Sequence, residues 1–169
     1  MADAAADPGW LHAGRVGRPH GLDGSFLVAE PNAVLLRAST TVRVGGAMRA
    51  IDRIAGHDAR LILRLEGCGD RDDAEALRGQ TLLIAREHAP ELEEDEWWAE
   101  DLEGLIVYDG DRRVGTVRRL LGLPSCEVLE VEREAGGEPL LVPLISDAVR
   151  TVDLERQRVD IDLAFLGEE

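Results

Sequence analysis

Residues 93–104, EEDEWWAEDLEG, divide this chain of 169 residues and set how the rest is read. The residues that lead into them, 88–96 (HAPELEEDE), mix proline with acids, show no apolar periodicity and read as a linker. Two adjacent aromatic side chains in an extended segment point to opposite faces. At least one of Trp97 and Trp98 is therefore expected at a surface or a partner, which makes the segment a candidate docking site. The alternative is packing alone, with one tryptophan plugging the following barrel and the other covering its mouth, since large aromatics are seldom completely buried.

On the N-terminal side of the linker, short β-type runs occupy residues 10–17, 25–29, 40–44, 47–54, 60–65 and 81–86. Only residues 70–78 look helical: Asp70 can cap, acids fill the first turn, Ala74 and Leu77 share a face and Gly79 stops the run. Six strands and one short helix predict a small closed barrel. On the C-terminal side, runs at 105–108, 113–121, 127–132, 140–144, 149–152 and 158–163 repeat the same grammar. Apolar and acidic residues alternate at 128–131 and 159–163, predicting one buried face and one wet, acidic face. The fold class is thus all-β, two small barrels joined by an acidic linker. The expected limits are a disordered start at 1–9, an N-terminal barrel at 10–88, the linker at 89–95 and a C-terminal barrel at 96–169.

Charge separates the halves as well. Residues 1–90 carry eleven arginines and twelve acids, a net charge of −1; residues 91–169 carry eight arginines and twenty-two acids, a net charge of −14. An acidic half repels phosphate and suits a basic protein, whereas a near-neutral half can still gather arginines locally; plain solubility is the competing explanation. All nineteen basic residues are arginine. Cys68 and Cys126 stand alone, away from any metal-ligand spacing, and are expected as buried, reduced thiols. No signal peptide or membrane-length apolar run is present, which predicts a cytosolic protein.

Little in the chain asks for catalysis. Gly14, Gly17, Gly21 and Gly24 lack the lysine and hydroxyl pair of a phosphate loop and do not open a helix; Gly21 and Gly24 read as the positive-φ residues of a tight connection. Arg15, Arg18 and His20 sit on or beside that turn, a small positive patch suited to RNA phosphates. Against this stands a structural role in which Arg15 pairs with a barrel carboxylate. His12, His20, His57 and His88 are scattered, none within a nucleophile motif. Acidic pairs fall on alternating positions, as solvated edges do. No catalytic residue, metal site or cofactor is expected.

Two stretches then become recognisable together. Gly14-Arg15-Val16-Gly17-Arg18-Pro19-His20-Gly21-Leu22-Asp23-Gly24 resembles the N-terminal signature of the RimM family of ribosome maturation factors, and so do Asp72, Ala74, Glu75, Leu77, Arg78 and Gly79. Glu96, Trp97, Trp98, Asp101, Leu102, Glu103 and Gly104 resemble that family's paired-aromatic motif, followed at matching distances by Gly115, Val128, Leu129, Pro143, Val152 and Asp153. The resemblance implies a translation-factor-like six-stranded N-terminal barrel and a C-terminal barrel of the PRC type. It also implies a non-enzymatic, monomeric, cofactor-free assembly chaperone of the small ribosomal subunit. Such a factor binds protein nineteen of that subunit, with nearby 16S rRNA of the head as a further contact, and assists processing of that RNA.

Carried over by position, Trp97, Trp98, Asp101, Leu102 and Gly104 take the partner-binding role, and Arg15, Gly17, Arg18, His20, Gly21 and Gly24 take the RNA or ribosome contact. Many relatives carry two tyrosines where this chain has tryptophans, so stacking and burial should persist without a hydroxyl. Ser125, Cys126 and Glu127 depart from the family pattern, and Cys126 receives no role. Two rivals are a PRC-type docking module of another RNA-metabolism assembly, which does not account for the N-terminal signature, and an RNA-processing enzyme, which would need a metal-binding carboxylate cluster.

Overall fold

The structure, a computed structural model, describes residues 7–168. Between Glu93 and Glu94 the chain divides into two compact units. Of the residues expected to be disordered, 1–6 lie outside the described ones. Asp7, Pro8 and Gly9 form a turn: the Trp10 N–H donates to the Asp7 carbonyl at 2.9 Å, and Arg86 Nε donates to the Pro8 carbonyl at 2.9 Å.

The N-terminal unit is built from β1 (Trp10–Pro19), β2 (Phe26–Ala29), α1 (Ala33–Ala38), β3 (Thr41–Val44), β4 (Ala47–His57), β5 (Arg60–Leu65), α2 (Arg71–Leu77) and β6 (Thr81–Ala85), with a 3-10 turn at Arg86–His88. Its strands close into a barrel in the order β1-β2-β5-β4-β3-β6, every pair antiparallel. The period-2 pattern of β5 shows why: Leu61, Leu63 and Leu65 are completely buried while Arg60, Ile62 and Arg64 face outward. Each such leucine contributes about 1.5–3 kcal/mol on burial. Two register shifts in β1 let one ten-residue strand serve both β2 and β6.

Helix α1 is absent from the sequence reading. Six residues are too few to display helical periodicity, yet Asn32 Oδ1 accepts from the Leu35 N–H at 3.2 Å and the turn buries Leu35 and Leu36 completely. Helix α2 follows expectation, with Asp70 accepting from the N–H groups of Asp72 and Asp73.

The C-terminal unit comprises α3 (Ala99–Leu102), β7 (Ile106–Asp109), β8 (Arg112–Gly122), β9 (Glu127–Arg133), β10 (Leu140–Pro143), β11 (Val149–Asp153) and β12 (Arg158–Ile161). These form one six-stranded sheet in the order β10-β9-β8-β7-β12-β11. All its pairs are antiparallel except β7 with β12. The sheet curls around a core that includes Leu102, Val107, Leu129, Val131, Val142 and Ile161. Its end strands β10 and β11 do not pair with each other, so it is a half-barrel.

The expected alternation on β9 fails at one position. Val128, Leu129, Glu130 and Val131 are all buried, and the Glu130 carboxylate is taken by Arg119 of β8. The hydrogen bond from Arg119 holds the Glu130 carboxyl below its ordinary range. An acid paired with arginine tolerates a position where a solvated one would not be found. Asp160 of β12 is likewise drawn in, meeting Arg150 at 3.0 Å and Arg158 at 3.1 Å. Cys68 is buried as expected, whereas Cys126 is half-buried; both are free thiols.

Candidate functional site

The paired tryptophans lie in an extended segment that runs straight into α3, a short helix that the sequence reading placed nowhere. Both side chains are half-buried. Trp97 packs against the core of the half-barrel, and Trp98 precedes the helix, its carbonyl accepting from the Asp101 N–H at 3.0 Å. Glu100 and Asp101 fill the first turn of α3, as suits a helix N-terminus.

The helix ends at two residues that the sequence reading placed in the partner contact. Leu102 is 0 % exposed and belongs to the core. That corrects its assignment, because a side chain without accessible surface cannot meet a partner. Gly104, at φ +86°, follows the helix and donates its N–H to the Val117 carbonyl at 2.8 Å, so it ties α3 to β8. Trp97, Trp98, Asp101 and Gly104 keep surface.

Beside them a shallow cleft opens, lined by Glu100, Asp101, Glu103, Gly104, Leu105, Leu154 and Gln157. Leu154 and Gln157 come from the β11–β12 turn, brought here because β12 pairs in parallel with β7 and the Ile106 N–H donates to the Gln157 carbonyl at 3.0 Å. No linear spacing signals that approach. Three carboxylates and a leucine at the rim suit a basic, partly apolar partner segment. Among the described residues, no group of three or more histidines, cysteines or acids could hold a metal ion, and no helix is long and apolar enough to cross a membrane.

The second candidate region is the β1–β2 connection. The His20 N–H donates to the Ser25 carbonyl at 2.8 Å, closing the turn, with Gly21 at its exposed tip. Gly24 has a φ of +81°, and an added Cβ would stand 2.3 Å from the Cys68 carbonyl oxygen. Gly17 is pinned by Leu27, whose carbonyl oxygen would lie 2.5 Å from a Cβ there. These glycines permit close backbone approach and bring no ligand-binding group. Arg15 meets Glu30 at 2.7 Å, the pairing that the structural reading foresaw. Arg18 and His20 are exposed.

Two arginines that the sequence reading missed converge on the same turn. Arg53 and Arg64 reach one oxygen of Asp23 at 3.4 and 3.7 Å, from neighbouring strands where they are direct cross-strand partners. They are eleven positions apart in sequence, and only the β4–β5 register joins them.

Residues 11–89 match the RimM N-terminal domain and residues 99–165 match the RimM PRC barrel domain. A Sorangium cellulosum protein named ribosome maturation factor RimM is 41 % identical over 155 residues, 86 % of this chain and 90 % of that protein. A protein of the same name from Methylobacterium nodulans is 36 % identical over 169 residues, 95 % of this chain and 82 % of that protein. Among solved structures, the solution structure of the N-terminal domain of RimM from Thermus thermophilus is 32 % identical, covering 50 % of this chain and 98 % of that one at a TM-score of 0.44. With both domain types matched in order and relatives similar over most of its length, the chain belongs to the RimM family.

Proposed function

We propose that this protein is a non-enzymatic ribosome maturation factor that binds the small ribosomal subunit at its head, through ribosomal protein nineteen, and assists subunit assembly and 16S rRNA processing. It acts as a monomer in the cytoplasm, without a cofactor. No bond is made or broken by the chain itself; a correctly arranged precursor is cut by separate nucleases.

Relatives that carry the name ribosome maturation factor RimM support the general role. The observation that carries the docking reading is the pair of half-buried tryptophans beside an acidic cleft, within the half of the chain that holds nearly all of its net negative charge. Charge speeds the encounter with a basic ribosomal protein and aromatic surface holds the complex. Trp98 and the Asp101 rim take the contact, Trp97 backs them from the core, and the N-terminal turn with Arg18 and His20 faces head RNA.

Calorimetric titration with purified small-subunit protein nineteen tests this. The parent should bind, and a Trp97→Ala, Trp98→Ala variant with intact folding should lose about 2 kcal/mol or more of binding. Undiminished binding by the folded variant would remove the site, and no binding by the parent would remove the partner.

A further inference from the structure

In a chain of net charge −15, one face runs against the trend. The β4–β5 pairing sets Arg53 opposite Arg64, Ala55 opposite Ile62 and His57 opposite Arg60, all on the outside of the N-terminal barrel. The β2–β5 pairing adds Leu27 beside Ile62. Arg18 is one of the two β1 residues in the register shift between Val16 and Pro19, alongside Leu27. The result is a half-buried apolar strip, Leu27-Ile62-Ala55, with arginines above and below. A rise of about 3.3 Å per residue puts the Arg64 and Arg60 rows about 13 Å apart.

The charge on this face is not balanced from within. Glu30 is taken by Arg15 at 2.7 Å, Asp58 by Arg37 at 3.0 Å, and Asp23 serves Arg53 and Arg64 together. Arg18 and Arg60 make no ion pair among the described residues. Even with Asp52 of β4 counted, the face holds six arginines to four acids. Like charges directly opposite on neighbouring strands destabilise a sheet. Here a single carboxylate oxygen answers two guanidinium groups, at distances well beyond the roughly 2.7–2.9 Å of a close charge-assisted bond. Most of the roughly ten N–H donors of that pair remain available.

We propose that this outer face of β2, β5 and β4 binds RNA, with backbone phosphates on Arg53, Arg64, Arg60 and Arg18 and nucleotide faces over Leu27, Ile62 and Ala55. RNA is the occupant because the free groups are planar donor forks suited to phosphate, while an apolar strip between them leaves room for bases and not for a row of acids. The strip is aliphatic, so contact depends on the backbone and tolerates any sequence. The inference rests on the ribosome-maturation reading and extends its RNA contact from the glycine turn onto the adjoining sheet.

The test is binding of the full chain to a transcript of the 16S rRNA head domain across a salt series. Each phosphate contact contributes about 0.7 to the slope of log affinity against log salt on unpaired RNA. Arg53→Gln with Arg64→Gln should flatten that slope by about 1.4 and weaken binding roughly tenfold at low salt, and Arg60→Gln should flatten it by about 0.7. Arg156→Gln, the same charge change in the C-terminal unit, should leave it unaltered. An unchanged slope in Arg60→Gln and the double variant, an equal fall in Arg156→Gln, or no RNA binding by the parent overturns the proposal. If the double variant does not fold, Arg60→Gln decides. Titration with protein nineteen, run in parallel, reports on the maturation reading separately, since none of these substitutions touches the tryptophan segment.

Discussion

The N-terminal strands close on themselves and the C-terminal ones do not, and the two units solve the resulting edge problem by different means. In the closed barrel every strand has two neighbours, so the sheet has no end strand. In the half-barrel, β10 and β11 are edges. The first is only four residues long and ends in Pro143, which has no N–H to offer. The second carries Arg150, which reaches across to Asp109, Asp160 and Asp162 at 2.7, 3.0 and 3.1 Å. Those bonds lift the Arg150 guanidinium above the ordinary arginine range, the Asp109 bond most of all. Backbone closure holds one unit, and in the other side-chain charge ties the edge strand β11 to β12 and β7. One arginine on an edge strand thus gathers three acids of an otherwise acidic surface.

The comparison can be broken most directly in the core. Leu102→Ala empties a completely buried position of the half-barrel and should cost about 2–5 kcal/mol there, seen as early loss of Trp97 and Trp98 near-ultraviolet signal in a Trp10→Phe background. Gly24→Ala should destabilise the closed barrel by about 1–3 kcal/mol through positive φ and contact with the Cys68 carbonyl. The C-terminal signal should be unmoved. If either substitution melts both units together, the two cores are not independent.

Acid sharpens the contrast further, with a smaller effect. Asp160 is pushed up by burial, but hydrogen bonds from Arg150 and Arg158 outweigh this and lower its carboxyl; Asp162 is lowered chiefly by the Phe165 N–H, and Glu130 by Arg119. Carboxyls with folded values below their unfolded ones stabilise above about pH 4, and that contribution disappears as pH falls through the folded values. In the N-terminal barrel Asp23 behaves this way, held low first by hydrogen bonding from Ser25. Denaturant midpoints measured from neutral pH down into acid should therefore fall further for the C-terminal unit, and Arg150→Gln should shrink the difference.

What could be read from the chain was whatever is local. Alternation in residues 60–65 and the Asp70 cap are written in consecutive residues, and so the strands and α2 emerged nearly in place. Helix α1 escaped because its two decisive leucines, Leu35 and Leu36, are adjacent and show no period. The burial of Glu130 escaped because its reason, Arg119, lies on another strand. Residue by residue, the candidate docking segment was legible as aromatic and acidic, but burial took Leu102, while Gly104 stays exposed and lines the cleft. The arginine face exists only through register, which depends on bulges and turns rather than on composition.

The parallel seam between β7 and β12 has a consequence in time. The N-terminal barrel has all six strands once β6, Thr81–Ala85, has been made. In the half-barrel β12, the last strand in sequence, lies between β7 and β11, beside the first. During synthesis the acidic unit therefore cannot close around its core until Ile161 has left the exit tunnel. Its opening strand has by then waited through more than fifty residues of translation. A nascent chain that stalls in that interval would present a finished barrel with its arginine face and no completed surface for the tryptophans; on the assignments proposed above, it would meet RNA before it could hold a protein.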